Sequence, residues 1–169
     1  MDDLDARTDR GLLTKRAYAD DAQLAVRYKI HEEYSRPKLD FQRWVVETYA
    51  WRGDERVLDV GAGSGGYFEL VQARIPNGTH VAGDLSCGMA HQAGQHAAAL
   101  PLAVVNLGVQ ALPFPDHTFD VVLANHMLYH VPDLDAALIE IRRVLREDGC
   151  VIAATNSANN MPELDTLYR

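Results

Sequence analysis

The chain has 169 residues, 47% hydrophobic and 24% charged, which fits about one globular domain able to bury its own core without disulfide or metal staples. That balance excludes a disordered chain, and no apolar run approaches the ~20 residues of a membrane span. The net charge of −8 is uneven: residues 57–169 carry 5 basic and 12 acidic side chains, and between Val57 and Ile141 the one basic residue is Arg74, which argues against a nucleic-acid surface there and suits a small or cationic ligand.

The start, MDDLDARTDR, lacks the basic-then-apolar pattern of a signal peptide. Cys87 and Cys150 have no paired spacing and read as reduced, buried thiols of a cytoplasmic protein. Residues 8–50 read as helical, with Phe41, Trp44, Val45, Thr48 and Tyr49 at helical spacing behind an N-cap at Asp40 and Gly53 closing the helix. From residue 56 the rhythm changes. Val57–Val60 is a short apolar strand running into Gly61-Ala62-Gly63-Ser64-Gly65-Gly66, and Tyr67–Arg74 is helical. His80–Gly83 is a second strand, Cys87–Leu100 a helix, Leu102–Val105 a third strand and Phe119–Ala124 a fourth. Leu134, Ala137, Leu138, Ile141 and Leu145 recur with a helical period, Glu147-Asp148-Gly149 turns the chain, and Cys150–Thr155 is a fifth strand. Strands that are apolar throughout and alternate with helices predict an α/β fold: a doubly wound, Rossmann-like, mostly parallel sheet with its ligand at the carboxyl ends of the strands. Two regions are expected, an N-terminal helical cap or lid over 1–55 and a binding domain over 56–169.

The glycine loop has two parses. Gly61, Gly63 and Gly66 form G-x-G-x-x-G, which suggests a dinucleotide and an NAD-dependent oxidoreductase. Asp59, Gly61, Gly63 and Gly65 form D-x-G-x-G-x-G, in which a carboxylate accompanies the cradle. Asp84, about 20 residues on, could accept both ribose hydroxyls or cap the helix that follows, a task Ser86 could take instead. A pyrophosphate gains nothing from a carboxylate at Asp59, whereas a cationic ligand does. The hydride-transfer pair of an oxidoreductase is missing, since the last lysines, Lys29 and Lys38, lie upstream of the loop.

Three blocks, VLDVGAGSGGY (57–67), VAGDLSCGMA (81–90) and the run from Ala111 to Cys150 with Leu112-Pro113-Phe114-Pro115, Phe119-Asp120-Val121-Val122 and His130-Val131-Pro132-Asp133, carry a resemblance to the class I S-adenosylmethionine-dependent methyltransferases, above all the ubiquinone and menaquinone C-methyltransferase branch. The resemblance implies methyl transfer from S-adenosylmethionine to a small-molecule acceptor, the runner-up being a non-catalytic S-adenosylmethionine-binding module. It implies that Asp59, Gly61, Ala62, Gly63 and Gly65 surround the methionine part. It assigns the ribose hydroxyls to Asp84, one face of the adenine to Leu85 and Met89, and the other to Gln110, Ala111 and Leu112. The backbone of Asn125 would meet the methionine ammonium. Many relatives place an acid at the position of Gly108, which contacts the adenine amino group; Asn106 or Gln110 must compensate here.

In-line methyl transfer draws much of its rate from positioning, and needs a base only for an acceptor that arrives protonated. His126, Tyr129 and His130 after the fourth strand are the catalytic candidates; His130 also reads as a packing or capping residue. His126 and His130, four apart, would share one helix face, but no third ligand accompanies them and no metal is expected. Tyr18, Tyr28, His31 and Tyr34 could form a lid, or pack on the sheet. Arg142, Arg143 and Glu140 read as a solvated helix face. The family sheet has seven strands and five are countable, so the chain is expected to lack the C-terminal hairpin. Asn160 and Pro162 would start a last helix with Leu164, Leu167 and Tyr168 on its apolar face. A homodimer through the open edge of the fifth strand or the N-terminal helices is a further expectation, with no nucleic-acid or membrane partner.

Overall fold

A computed structural model describes residues 38–156 continuously and, before them, Thr8, Asp9, Gly11, Glu33 and Tyr34. The expected helix over Ala17–Tyr34, the lid residues Tyr18, Tyr28 and His31, and the helix after Asn160 lie outside the described residues. The described chain runs α1 (Phe41–Glu47), β1 (Arg56–Val60), α2 (Phe68–Gln72), β2 (Thr79–Asp84), α3 (Cys87–Ala97), β3 (Leu102–Asn106), β4 (Phe119–Asn125), a 3-10 turn (Leu128–His130), α4 (Leu134–Val144) and β5 (Leu145–Ala154).

All five strands are parallel, in the order β3-β2-β1-β4-β5. Every residue of β4 is buried, because β4 lies inside the sheet with both faces covered. Alternate residues divide between two cores. Leu58, Val60, Val122 and Ala124 meet Ala137, Ile141 and Val144 of α4, with Leu107, Val109 and Leu112 of the β3–β4 loop completing that layer. Val57, Val121, Leu123 and Ile152 meet Val45 and Val46 of α1 and Val71 of α2. Burying each such side chain contributes about 1.5–3 kcal/mol, which is why seven consecutive buried residues make β4 the axis of the domain.

Capping follows the local chemistry. Asp40 accepts from Arg43 N at 3.0 Å, Ser86 Oγ from Met89 N at 3.3 Å and Asp133 from Ala136 N at 2.9 Å, each one satisfying a helix N–H that has no partner within its helix. Gly53 does not close α1, which ends at Glu47 with Thr48 as its cap. Its φ of 101° serves the following loop, where the buried Glu55 carboxylate gathers the Arg52 and Gly53 N–H groups. Trp44 is exposed and Val46 buried, so the apolar stripe of α1 is rotated from the one its spacing suggests. Glu147-Asp148-Gly149 do not separate helix from strand. They form an excursion inside β5: Leu145 pairs with Phe119 and Cys150 already with Val121.

Two further expectations are corrected. Cys87 is exposed and Cys150 half-buried, so neither is a core filler. Arg143 and Glu140 are no solvated face. The guanidinium donates to both Glu140 oxygens (2.7 and 2.8 Å), to the Phe114 and Leu112 carbonyls (2.7 and 2.9 Å) and to Asp116 (2.8 Å), using all five of its N–H groups. Glu140 in turn accepts from Leu112 N at 2.8 Å. The helix α4 thereby pins the whole Leu112–Asp116 segment.

Candidate cofactor site

The strand order reverses between β1 and β4, and sheets of this kind bind their ligands at the carboxyl ends of the strands beside that reversal. β1 delivers Asp59 and the glycine loop to it, β2 delivers Asp84, and β4 delivers Asn125.

Asp59 is 2% exposed, and its Oδ2 has no hydrogen-bond partner. Burial, helped by the nearby Asp84 carboxylate, pushes its pKa up to about 8. Asn125 is 7% exposed, and both its amide oxygen and its amide nitrogen lack partners. Buried polar atoms are nearly always paired, so three orphans at one switch point mark a place built for a polar, cation-bearing ligand. Both oxygens of Asp84 accept a main-chain N–H: Oδ1 from Ser86 N at 2.8 Å and Oδ2 from Gly63 N at 3.0 Å. Burial raises its pKa while those N–H groups lower it. Each oxygen keeps a lone pair that a diol could use.

The glycines divide in purpose. Gly63 has a φ of 58° and nothing within 4 Å of where a Cβ would stand, so its Cα faces open space as a ligand cradle requires. A Cβ on Gly61 would fall 2.7 Å from Met127, and one on Gly65 2.4 Å from the Phe68 ring. Those two glycines admit protein neighbours. Ala62 N donates to the Gly83 carbonyl at 3.0 Å and docks the loop on β2.

On the adenine side, Leu85 is partly exposed, Gln110 half-buried and Ala111 exposed at a tight turn from Gly108. Met89 is wholly buried and belongs to the core. Leu112 is also buried, its backbone held by Glu140 and Arg143. Asn106 is turned to its neighbours: its Nδ2 donates to the Asp84 and Leu85 carbonyls at 2.8 and 3.0 Å, and its Oδ1 accepts from Cys87 Sγ at 3.4 Å.

Beyond β4, His126 has a φ of 55°, and its N–H donates to the Ala154 carbonyl at 2.7 Å. It precedes the 3-10 turn that holds His130, so the two histidines do not share a helix face. Its exposed ring lies 5.4 Å from Phe41 of α1, and Tyr129 and His130 have ring centroids 4.4 Å apart. No group of three metal-ligating side chains forms among the described residues. The sequence reading missed the Asn125 side chain; its signal was a lone amide ending an otherwise almost wholly apolar strand.

A family model described as a methyltransferase domain matches residues 58–153, from the middle of β1 almost to the end of β5. The chain belongs to the methyltransferase-domain family. The ubiquinone/menaquinone biosynthesis C-methyltransferase UbiE of Xanthomonas campestris pv. campestris is 36% identical over 114 residues, covering 64% of this chain and 45% of that protein. The malonyl-[acyl-carrier protein] O-methyltransferase of Geobacter sulfurreducens is 34% identical over 115 residues, 68% of this chain and 43% of that protein. The crystal structure of YcgJ from Bacillus subtilis superposes with a TM-score of 0.62 at 27% identity, covering 75% of this chain and 55% of that chain. The match thus spans less than half the length of these curated relatives. One relative is named for transfer to carbon and the other for transfer to oxygen, so the likeness leaves the acceptor atom open.

Proposed function

We propose that this methyltransferase domain binds S-adenosylmethionine and serves transfer of its methyl group to a small-molecule acceptor. The observation that carries the reading is the buried, unpartnered Oδ2 of Asp59 beside the unpartnered amide of Asn125, next to the open face of Gly63. The cofactor, when bound, supplies an electrophilic methyl on a sulfonium together with an ammonium and a ribose diol, and no phosphate. Asp59 would take the cationic end, Asn125 would orient it with its amide as well as its backbone, and Gly61, Ala62, Gly63 and Gly65 would shape the loop around it. Asp84 would accept the ribose hydroxyls, with Leu85, Gln110, Ala111 and Leu112 beside the adenine and Met89 backing it from the core. His126 is the favoured proton acceptor for an acceptor that arrives protonated, since it follows Asn125 directly and faces Phe41; Tyr129 and His130 would line the same mouth. Residues 1–55 would cap the acceptor side over the domain formed by 56–169, with α1 as the anchored end of the cap. The setting proposed is cytoplasmic, and a homodimer across the open edge of β5 is part of the same reading. None of the described helices is long and apolar enough to cross a membrane.

Calorimetric titration with S-adenosylmethionine, S-adenosylhomocysteine and NAD tests this. Binding of the first two is expected. Failure of both at millimolar concentration, with NAD bound, would overturn the reading. Release of S-adenosylhomocysteine in the presence of an acceptor separates an enzyme from a binding module.

A further inference from the structure

His96 lies on α3, outside the cofactor contacts described above, yet its ring reaches the glycine loop. Nδ1 stands 3.1 Å from the Ser64 carbonyl oxygen, and Nε2 stands 2.6 Å from Glu69 Oε1 on α2. Both partners are acceptors: a carbonyl has no proton to give, and a carboxylate at neutral pH has none either. A neutral imidazole carries one N–H and can satisfy only one of them. The imidazolium carries two and satisfies both. The geometry therefore selects the charged form. The ring is also packed onto the loop, because a Cβ on Gly65 would fall 2.9 Å from His96 Nδ1, and Phe68 stacks at 5.4 Å between centroids.

We propose, on the footing of the cofactor reading above, that His96 is a positioning residue: as an imidazolium it ties Ser64 of the glycine loop to Glu69 of α2 and holds the loop in its ligand-binding shape. Deprotonation forces the ring to give up one partner and frees the Gly63–Gly65 segment. The surroundings agree. Glu69 is the charged group facing the ring from α2. From β2 the buried His80 lies behind Phe68, at 5.6 Å from that ring, and desolvation holds its pKa down to about 4, so it stays neutral. From α3 itself His91 lies one turn earlier, against Gln95 at 3.1 Å. The Glu69 and Ser64 contacts raise the His96 pKa, and His96 lowers that of Glu69. Since the pKa is raised, the latch is closed at low pH and opens as pH rises through it. The pair is solvent-facing, so it adds little to global stability, and its effect belongs to the loop.

Ring 1H–15N spectra of the isotopically labelled protein between about pH 5.5 and 8.5 test the latch without any ligand. Both His96 nitrogens are expected to be protonated at neutral pH, with the Gly63 and Gly65 amides shifting at the same midpoint; Glu69→Gln lowers that midpoint. A neutral His96 at pH 7, or glycine amides indifferent to its titration, would overturn the proposal. Titration with S-adenosylhomocysteine supplies the second arm. His96→Asn keeps a donor toward Ser64 without a titrating ring, so the ratio of wild-type to variant affinity isolates His96 from other titrating groups. That ratio is expected to fall about three- to tenfold as His96 deprotonates, and His96→Gln to bind more weakly than the wild type by a similar factor below that midpoint and equally above it, as for loss of one hydrogen bond. A ratio flat with pH in a protein that binds the ligand sinks the latch. No binding at any pH, with the spectral coupling intact, sinks the cofactor reading and leaves the latch standing.

Discussion

Asp59 shows how a single residue joins binding to stability. Its folded pKa of about 8 lies above the unfolded value of about 3.9, so the folded protein holds more protons across that window. Stability is therefore expected to fall as pH rises from about 4 to about 8. Asp59→Asn should raise Tm by a few degrees at pH 8 and leave it unchanged near pH 4, read by calorimetric scans of ligand-free protein. The same substitution should weaken S-adenosylmethionine by about tenfold or more, the scale of a lost hydrogen bond to a charged group. In the unmutated protein a cationic ligand favours the ionised carboxyl, so binding below pH 8 should release a proton and tighten as pH rises. Calorimetry in buffers of different ionisation enthalpy reads that proton. The glycines give a paired test. Gly63→Ala should cost about 1 kcal/mol of left-handed strain while its methyl fills the cradle and abolishes binding. Gly65→Ala drives a methyl into the Phe68 ring and should cost stability more severely, so the two variants separate in melting temperature. At this scale the chain was partly legible. Asp59, Asp84 and the loop follow from residue type and spacing. The orphaned Asn125 amide shows only once β4 is buried in the sheet, and the divided purposes of the glycines only once Met127 and the Phe68 ring stand against Gly61 and Gly65.

Elements were legible where one local cause dominates. Asp40 and Ser86 cap α1 and α3 because a short acceptor side chain precedes each helix; Asp133 caps α4 for the same reason, though in the sequence it reads only as part of a motif. The β3–β4 connection was not, because no local pattern shows what holds it. It carries no helix; Arg143 and Glu140 replace one by hydrogen-bonding its main chain from α4. An Arg–Glu pair three residues apart is, by sequence alone, indistinguishable from a solvated ion pair. Arg143→Ala leaves the Phe114 carbonyl unpaired and the Glu140 carboxylate without its guanidinium, held by Leu112 N alone. It should destabilise the domain by about 2–3 kcal/mol in urea unfolding and loosen Gln110 and Ala111 on the adenine side. The excursion inside β5 escaped for a similar reason, since its Glu-Asp-Gly reads as an ordinary turn whether or not the strand has already begun.

For the whole molecule, the two ends of the sheet have opposite electrostatic characters. At the amino ends Asp120 accepts from Arg56 N at 2.8 Å, Arg146 at 2.7 Å and Arg52 at 3.2 Å, and these partners outweigh burial and lower its pKa. At the carboxyl ends Asp59 and Asn125 keep orphaned atoms. The Asp120 carboxylate is satisfied and holds the fold; the atoms at the carboxyl ends are unsatisfied and await a ligand. Asp120→Ala should therefore cost about 2–3 kcal/mol, from the lost charge-assisted bonds, with S-adenosylhomocysteine affinity unchanged. Because the Asp120 pKa is lowered, its contribution is present above about pH 4 and lost as pH falls further, opposite in sign to Asp59. Strand alternation made this architecture legible from the start, since apolar runs and right-handed crossovers leave few other arrangements.

In a cell the orphan oxygen of Asp59 becomes a matter of lifetime. A domain whose ligand-free form carries an uncompensated buried acid opens more often and is cut by proteases more readily. A ligand at a hundred times its dissociation constant adds about 2.7 kcal/mol against that opening. The abundance of this protein should then follow the supply of the molecule it binds, a dependence set by one carboxyl group rather than by any dedicated sensor.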